Sequence, residues 1–100
     1  MNTARRGNAF DLRVTRNLEA DGWLVASRRH TAGPGDLLAV RAGIIQLIEC
    51  KTTARGPYEH FGPRDRAAMI EAEQQFRLGA WLAWRGPRQQ ICWIPSTEWP

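Results

Sequence analysis

The residues of this chain best suited to chemistry are crowded into one stretch, GDLLAVRAGIIQLIECK, which holds two carboxylates, Asp36 and Glu49, and the only lysine of the sequence, Lys51. Two apolar runs, 36–41 and 44–51, flank Ala42-Gly43, the pattern of a β-hairpin. A two-residue loop pairs Arg41 with Ile44 and, counted outward, sets Asp36 opposite Glu49. Opposed side chains share a face with Cβ atoms about 5 Å apart, and the period of two puts Lys51 on that face and Cys50 on the other. At about 5 Å two carboxylates repel by roughly 3 kcal/mol at an effective dielectric of about 20. A cation between them removes the conflict, and all-oxygen donors with an open coordination sphere favour magnesium or manganese over zinc. Taken singly, Asp36 also reads as a turn residue after Gly35, and Glu49 with Lys51 as a solvated edge pair. The run IIQLIEC around Glu49 speaks for burial, where charge is costly unless it is used.

Such a site needs a scaffold, and the rest of the sequence spells one out. Phe10, Val14 and Leu18 recur four apart and predict a helix over residues 8–20, stopped by Asp21-Gly22. A short strand over 23–27 follows, then a polar loop, RRHTAGPG, and the hairpin. After the loop TTARGPYEHFGP, a second helix is expected over 64–78, with Pro63 at its entry, Met69, Ala72 and Phe76 on one face, and Gly79 beyond its end. AWLAWR and QICWIP complete the chain as strands. The order α-β-β-β-α-β-β describes an α/β domain: a mixed central sheet of about five strands flanked by helices.

Composition narrows the classes. One hundred residues suit a single domain, residues 1–100, with 43% apolar and 24% charged residues. No apolar run approaches the roughly 20 residues that span a bilayer, and MNTARRGNAF lacks a signal-peptide core, so a cytoplasmic location and no membrane partner are expected. Cys50 and Cys92 sit in apolar strands, where free cysteine packs as a small hydrophobe; with His30 and His60 they show no zinc spacing. Fourteen basic residues against ten acidic give a net charge of +4, and thirteen of the fourteen are arginine. Arginine pairs with phosphate through a planar fork, so a nucleic-acid partner fits the charge, as does a bias of codon composition.

The sequence also carries a family resemblance. Gly35-Asp36 followed, after a hairpin, by Glu49-Cys50-Lys51 resembles the D…(D/E)-x-K motif of the PD-(D/E)XK nucleases, with Gly35 in place of the eponymous proline. The wider pattern is similar to the archaeal-type Holliday-junction resolvases: RRGNAFD resembles their basic residue, glycine and helical glutamate; DGW their helix-to-strand junction; GIIQLIECKTT their catalytic strand; and the segments from Tyr58 to IPSTEW their helix and last strands. The resemblance implies a restriction-endonuclease-like fold and metal-assisted hydrolysis of a phosphodiester. Asp36, Glu49 and the backbone carbonyl of Cys50 would hold Mg2+, with Mn2+ able to substitute, and Lys51 would be the catalytic lysine. Asp11 falls where the family has its helix glutamate, although Asn8-x-x-Asp11 also fits a capping box. Thr31 falls near the family's active-site serine, although a loop threonine often bonds its own backbone. Arg66 stands where a glutamine is common.

Backbone contacts to DNA would come from Arg5, Arg6, Arg28, Arg29, Arg55 and Arg64. The implied substrate is a four-way junction, whose twofold symmetry suggests a homodimer; Trp93, Ile94 and Trp99 near the end of the chain offer apolar surface for it, with Trp99 expected exposed. Nucleases of this superfamily that cut flaps, nicks or duplex, and a non-catalytic DNA-binding protein of the same fold, are the competing readings.

Overall fold

A computed structural model describes residues 3–100, with side chains from residue 9 onward. Helix α1, Thr3–Ala20, points Phe10, Val14 and Leu18 into the core at 4%, 0% and 9% exposure. It begins before the expected residue 8, so Asp11 lies in the body of the helix and the capping box is not formed. Strands β1 (Leu24–Ser27), β2 (Leu37–Arg41) and β3 (Ile44–Lys51) make an antiparallel meander. Ala42 and Gly43 take φ of 50° and 79°, the left-handed pair of a tight two-residue hairpin turn. That turn pairs Arg41 with Ile44 and carries the ladder to Leu37 opposite Ile48, the register expected from sequence.

Helix α2, Pro63–Phe76, then crosses the sheet so that β4 (Gly79–Arg85) runs parallel to β3, and β5 (Ile91–Pro95) returns antiparallel beside β4. Sheet order is therefore the order of sequence, β1 to β5. β3 lies at the centre with both faces covered, which is why it reads as a nearly continuous apolar run. Its Ile48 packs with α1, Leu37, Ala39 and Ala83 on one face; its Leu47 packs with Phe61, Met69, Ala72, Leu82 and Trp99 on the α2 face.

Three expectations are corrected here. Phe76 is 60% exposed, because the helix ends at that residue and the stripe that packs is Met69 and Ala72. The helix stops by Arg77 taking a left-handed φ of 53°, not by Gly79, which opens β4. Space is tight there: a Cβ would lie 2.3 Å from Oε1 of Gln46 and displace the oxygen that accepts the indole N–H of Trp81 at 2.5 Å. Trp99, expected exposed, is buried. A 3-10 turn, Ser96–Glu98, folds it back so that its ring meets Phe61 edge-on at 4.9 Å and its indole donates to the Ile94 carbonyl at 3.1 Å. Trp93 and Ile94 are half-buried against the two core faces, so the surface anticipated for a dimer is largely spent inside. No helix among the described residues is long and apolar enough to cross a membrane.

Trp99→Ala should accordingly behave as a core truncation, lowering stability by about 3–5 kcal/mol. Urea unfolding checks this; a change below about 0.5 kcal/mol, typical of surface positions, would contradict the burial.

Candidate active site

Asp36 precedes β2 by one residue and is bound to β3 twice. Its backbone N–H donates to the Ile48 carbonyl at 2.8 Å, and its carboxylate Oδ2 accepts the backbone N–H of Cys50, also at 2.8 Å. A strand residue directs its N–H and its C=O to the same side, so the Cys50 carbonyl faces the gap where Asp36 sits. Glu49 and Lys51 lie two apart on the α2 face, with Nζ 3.4 Å from Oε2 and both side chains mostly buried. Burial and then the charge of Asp36 push the Glu49 carboxyl up to about 7, against the pull of Lys51. The conflict of charges anticipated from the hairpin is thus present.

A cleft of about 340 Å³ opens between these acids and α2, lined by Gly33, Pro34, Gly35, Asp36, Glu49, Asp65, Ala68 and Met69. Gly35 is held at φ +87° with its α-carbon against Leu47; a Cβ there would lie 2.4 Å from a Leu47 methyl. This close approach accounts for glycine where the motif has proline. Asp65, in the first turn of α2, is a third carboxylate of the cleft that the motif reading missed. The signal was available: Asp65 precedes the core residue Met69 by four, so the two share a helix face.

On the α1 side, Asp11 is 8% exposed and its Oδ2 lies 2.5 Å from an Arg29 guanidinium nitrogen. Ligand atoms of Asp11, Asp36 and Cys50 all fall within 4.8 Å of one another. Burial, and then Asp36, raise the Asp11 carboxyl, while burial pushes the Cys50 thiol up, keeping it neutral. Asp36 therefore stands between Glu49 and Asp65 on one side and Asp11 on the other. Lys51 and Arg29 are the cations paired with these acids among the described residues. Two carboxylates and a carbonyl, all hard oxygen donors in mutual repulsion, fit a hard divalent cation.

The remaining expected residues are placed elsewhere. The Thr31 hydroxyl donates to the Arg28 carbonyl at 2.7 Å, and its side chain is exposed. Arg28 braces its own loop, donating to the carbonyls of Pro34 at 3.2 Å and Ala32 at 2.9 Å. Arg29 is taken up by Asp11. Arg55 and Arg64 are exposed, Arg64 adjacent to Asp65 at the cleft. Arg66 turns away to donate to the Phe61 carbonyl at 2.6 Å, with its guanidinium 5.5 Å from the Tyr58 ring centroid. The side chains of Arg5 and Arg6 lie outside the described residues.

A five-stranded mixed sheet with one helix on each face, in the order α-β-β-β-α-β-β, and an acidic site where β2 meets the end of β3 define the restriction-endonuclease-like fold. Among solved structures, the chain is similar to the 1.6 Å structure of Hjc from Archaeoglobus fulgidus, a Holliday junction resolvase from an archaeal hyperthermophile. The TM-score is 0.78 at 18% sequence identity, over 92% of this chain and 74% of that one. No protein-family model matches the chain, nor does any curated protein.

The Glu49 shift has a measurable sign. Its carboxyl is raised from 4.5 to about 7 on folding, so the neutral form's contribution is whole below pH 4.5 and is lost as pH rises through 7. In metal-free protein this amounts to roughly 3 kcal/mol, at about 1.4 kcal/mol for each pH unit. Thermal melts should show Glu49→Gln losing less stability than wild type across this window. Parallel pH profiles for the two proteins would contradict the buried, Asp36-facing placement of Glu49.

Proposed function

We propose that this chain is a divalent-metal-dependent endonuclease that hydrolyses phosphodiesters in branched DNA, with four-way junctions as the preferred substrate. The observation that carries the proposal is the cleft lined by both Asp36 and Glu49, with Asp36 held by the Cys50 N–H at 2.8 Å and Lys51 3.4 Å from Glu49. It is supported by the likeness in fold to a protein described as a Holliday junction resolvase. Asp36, Glu49 and the Cys50 carbonyl would hold Mg2+, with Mn2+ as substitute. When bound, the ion supplies a water of lowered pKa and neutralises charge on the scissile phosphate.

The chain's own residues divide the remaining work. Glu49 must lose its proton to serve as a ligand, so the site gains affinity for a cation as pH rises through its pKa. Lys51, kept beside Glu49, orients the attacking water and stabilises charge that builds on the phosphate oxygens. Arginine is a poor substitute there, being bulkier and never a proton donor at useful pH. The Asp11–Arg29 pair ties α1 to the loop after β1 and so fixes the α1 side of Asp36. Arg55 and Arg64 supply backbone contacts that position the strand. Because a junction has twofold symmetry and one chain carries one such cleft, the working unit we propose is a homodimer.

Labelled four-way junction and matched linear duplex, incubated with and without magnesium, test this directly. Magnesium-dependent cleavage of the junction in preference to the duplex is expected, with calcium supporting binding but little turnover. Asp36→Asn, Glu49→Gln and Lys51→Ala should each lower the single-turnover rate by at least about a thousandfold, as loss of a transition-state contact does. Their junction affinity in calcium should change little beside that loss. Full activity in excess EDTA, or normal cleavage by Glu49→Gln at saturating magnesium, would overturn the mechanism.

A further inference from the structure

Past the C-terminal ends of the parallel strands β3 and β4 lies a second groove, of about 210 Å³, between the loop after β3 and the β4–β5 turn. Thr52, Thr53, Trp84, Arg85, Gly86 and Gln89 are among its walls, and no carboxylate lines it. In this it is the opposite of the acidic cleft. Both walls are fixed: the Trp84 indole donates to the Thr53 carbonyl at 2.9 Å, and the Thr53 hydroxyl to the Gly56 carbonyl at 2.5 Å. The turn is closed by Gly86 N–H to Gln90 O and Gln89 N–H to Gly86 O, both 2.9 Å.

Arg85 is half-buried and, among the described residues, its guanidinium has no carboxylate in salt-bridge reach. Lys51 pairs with Trp84, so the same register brings Thr52 beside Arg85. A half-buried arginine costs desolvation unless an anion meets it. Ligands of parallel sheets characteristically gather beyond the carboxyl ends of the strands. Lys51 and Trp84 lie on the α2 face, so Thr52 and Arg85, one residue further along, share the other face at the strand ends, one strand apart at about 4.8 Å.

We propose that this groove is a subsite for a non-scissile phosphate of the DNA strand being cut, gripped by the Arg85 guanidinium and the Thr52 hydroxyl. The inference rests on the nuclease reading above. It assigns the two neighbouring hollows different tasks: the acidic cleft takes the reacting phosphate through a cation, and the basic groove takes a neighbour directly.

Junctions carrying a single neutral methylphosphonate at successive positions flanking the cut, titrated in calcium, test the assignment. One position should weaken wild-type binding about tenfold, as loss of a charged hydrogen-bond pair does. Arg85→Gln should be weakened on natural DNA and indifferent to that same modification, and Thr52→Val should be weakened on natural DNA and lose less than wild type to it. The salt dependence of binding by Arg85→Gln should be shallower by about 0.9, one phosphate contact, whereas Arg85→Lys should keep the wild-type slope. Circular dichroism establishes folding; if Arg85→Gln is unfolded, Thr52→Val and Arg85→Lys decide by the same criteria. Equal sensitivity of wild type and variants at every position, with an unchanged slope, overturns the subsite. Wild-type protein that neither binds nor cuts any DNA overturns the nuclease reading instead, so the two failures are distinguishable.

Discussion

Everything at the site depends on how Asp36 is tied to β3. Backbone and side chain are both engaged by that strand, through Ile48 O and Cys50 N–H. The position of the Asp36 carboxylate is therefore set by the strand, whereas the Glu49 carboxylate is held by Lys51. Register in turn is set by the two residues at Ala42-Gly43. One extra residue there would slip the pairing by one and turn β3's side chains to the other face relative to β2. Ala42 holds a left-handed φ of 50°, a conformation disfavoured by about 1–2 kcal/mol for a residue with a Cβ. The fold carries that local cost at the turn, the end of the hairpin away from the carboxylates.

The same tie explains how a basic chain maintains an acidic centre. Glu49 and Asp65 lie on the α2 side and Asp11 on the α1 side, with Asp36 between them at the end of the ladder. Burial first, and then the charge of Asp36, raise both the Glu49 and the Asp11 carboxyls. Lys51 and Arg29 offset this in part, one on each side. Nearby arginines do not collapse onto these acids because their guanidiniums are committed elsewhere: Arg28 to its own loop and Arg66 to the loop ahead of α2.

Much of this was legible in the sequence because it is governed by local periodicity. Alternation and the Ala42-Gly43 turn were enough to order the strands, set the register as far as Leu37 opposite Ile48 and put Cys50 on the face away from Leu47. The misreadings fall where non-local packing decides. Nothing near Trp99 in sequence announces that Phe61 will receive it. Gly79 looks like a helix stop until Gln46, far away in the chain, is seen to occupy the space a side chain would need. Asp65 was missed for a different reason: an acid in a helix's first turn has a ready explanation in the helix dipole.

The docking of Trp99 also bears on how the chain comes off the ribosome. Residues 3–51 supply α1 and the meander and emerge first, although the core on that side also waits for Ala83. The α2-side core, in contrast, needs Phe61, Met69, Leu82 and finally Trp99, so it stays open until almost every residue described here has cleared the exit tunnel. At about 5–20 residues per second, Leu47 and Met69 wait several seconds uncovered. In that interval Asp65, Ala68 and Met69, the α2 wall of the acidic cleft, have been made without the Phe61–Trp99 contact that completes the core behind them. The α2-side core is complete only when the last aromatic ring is in place.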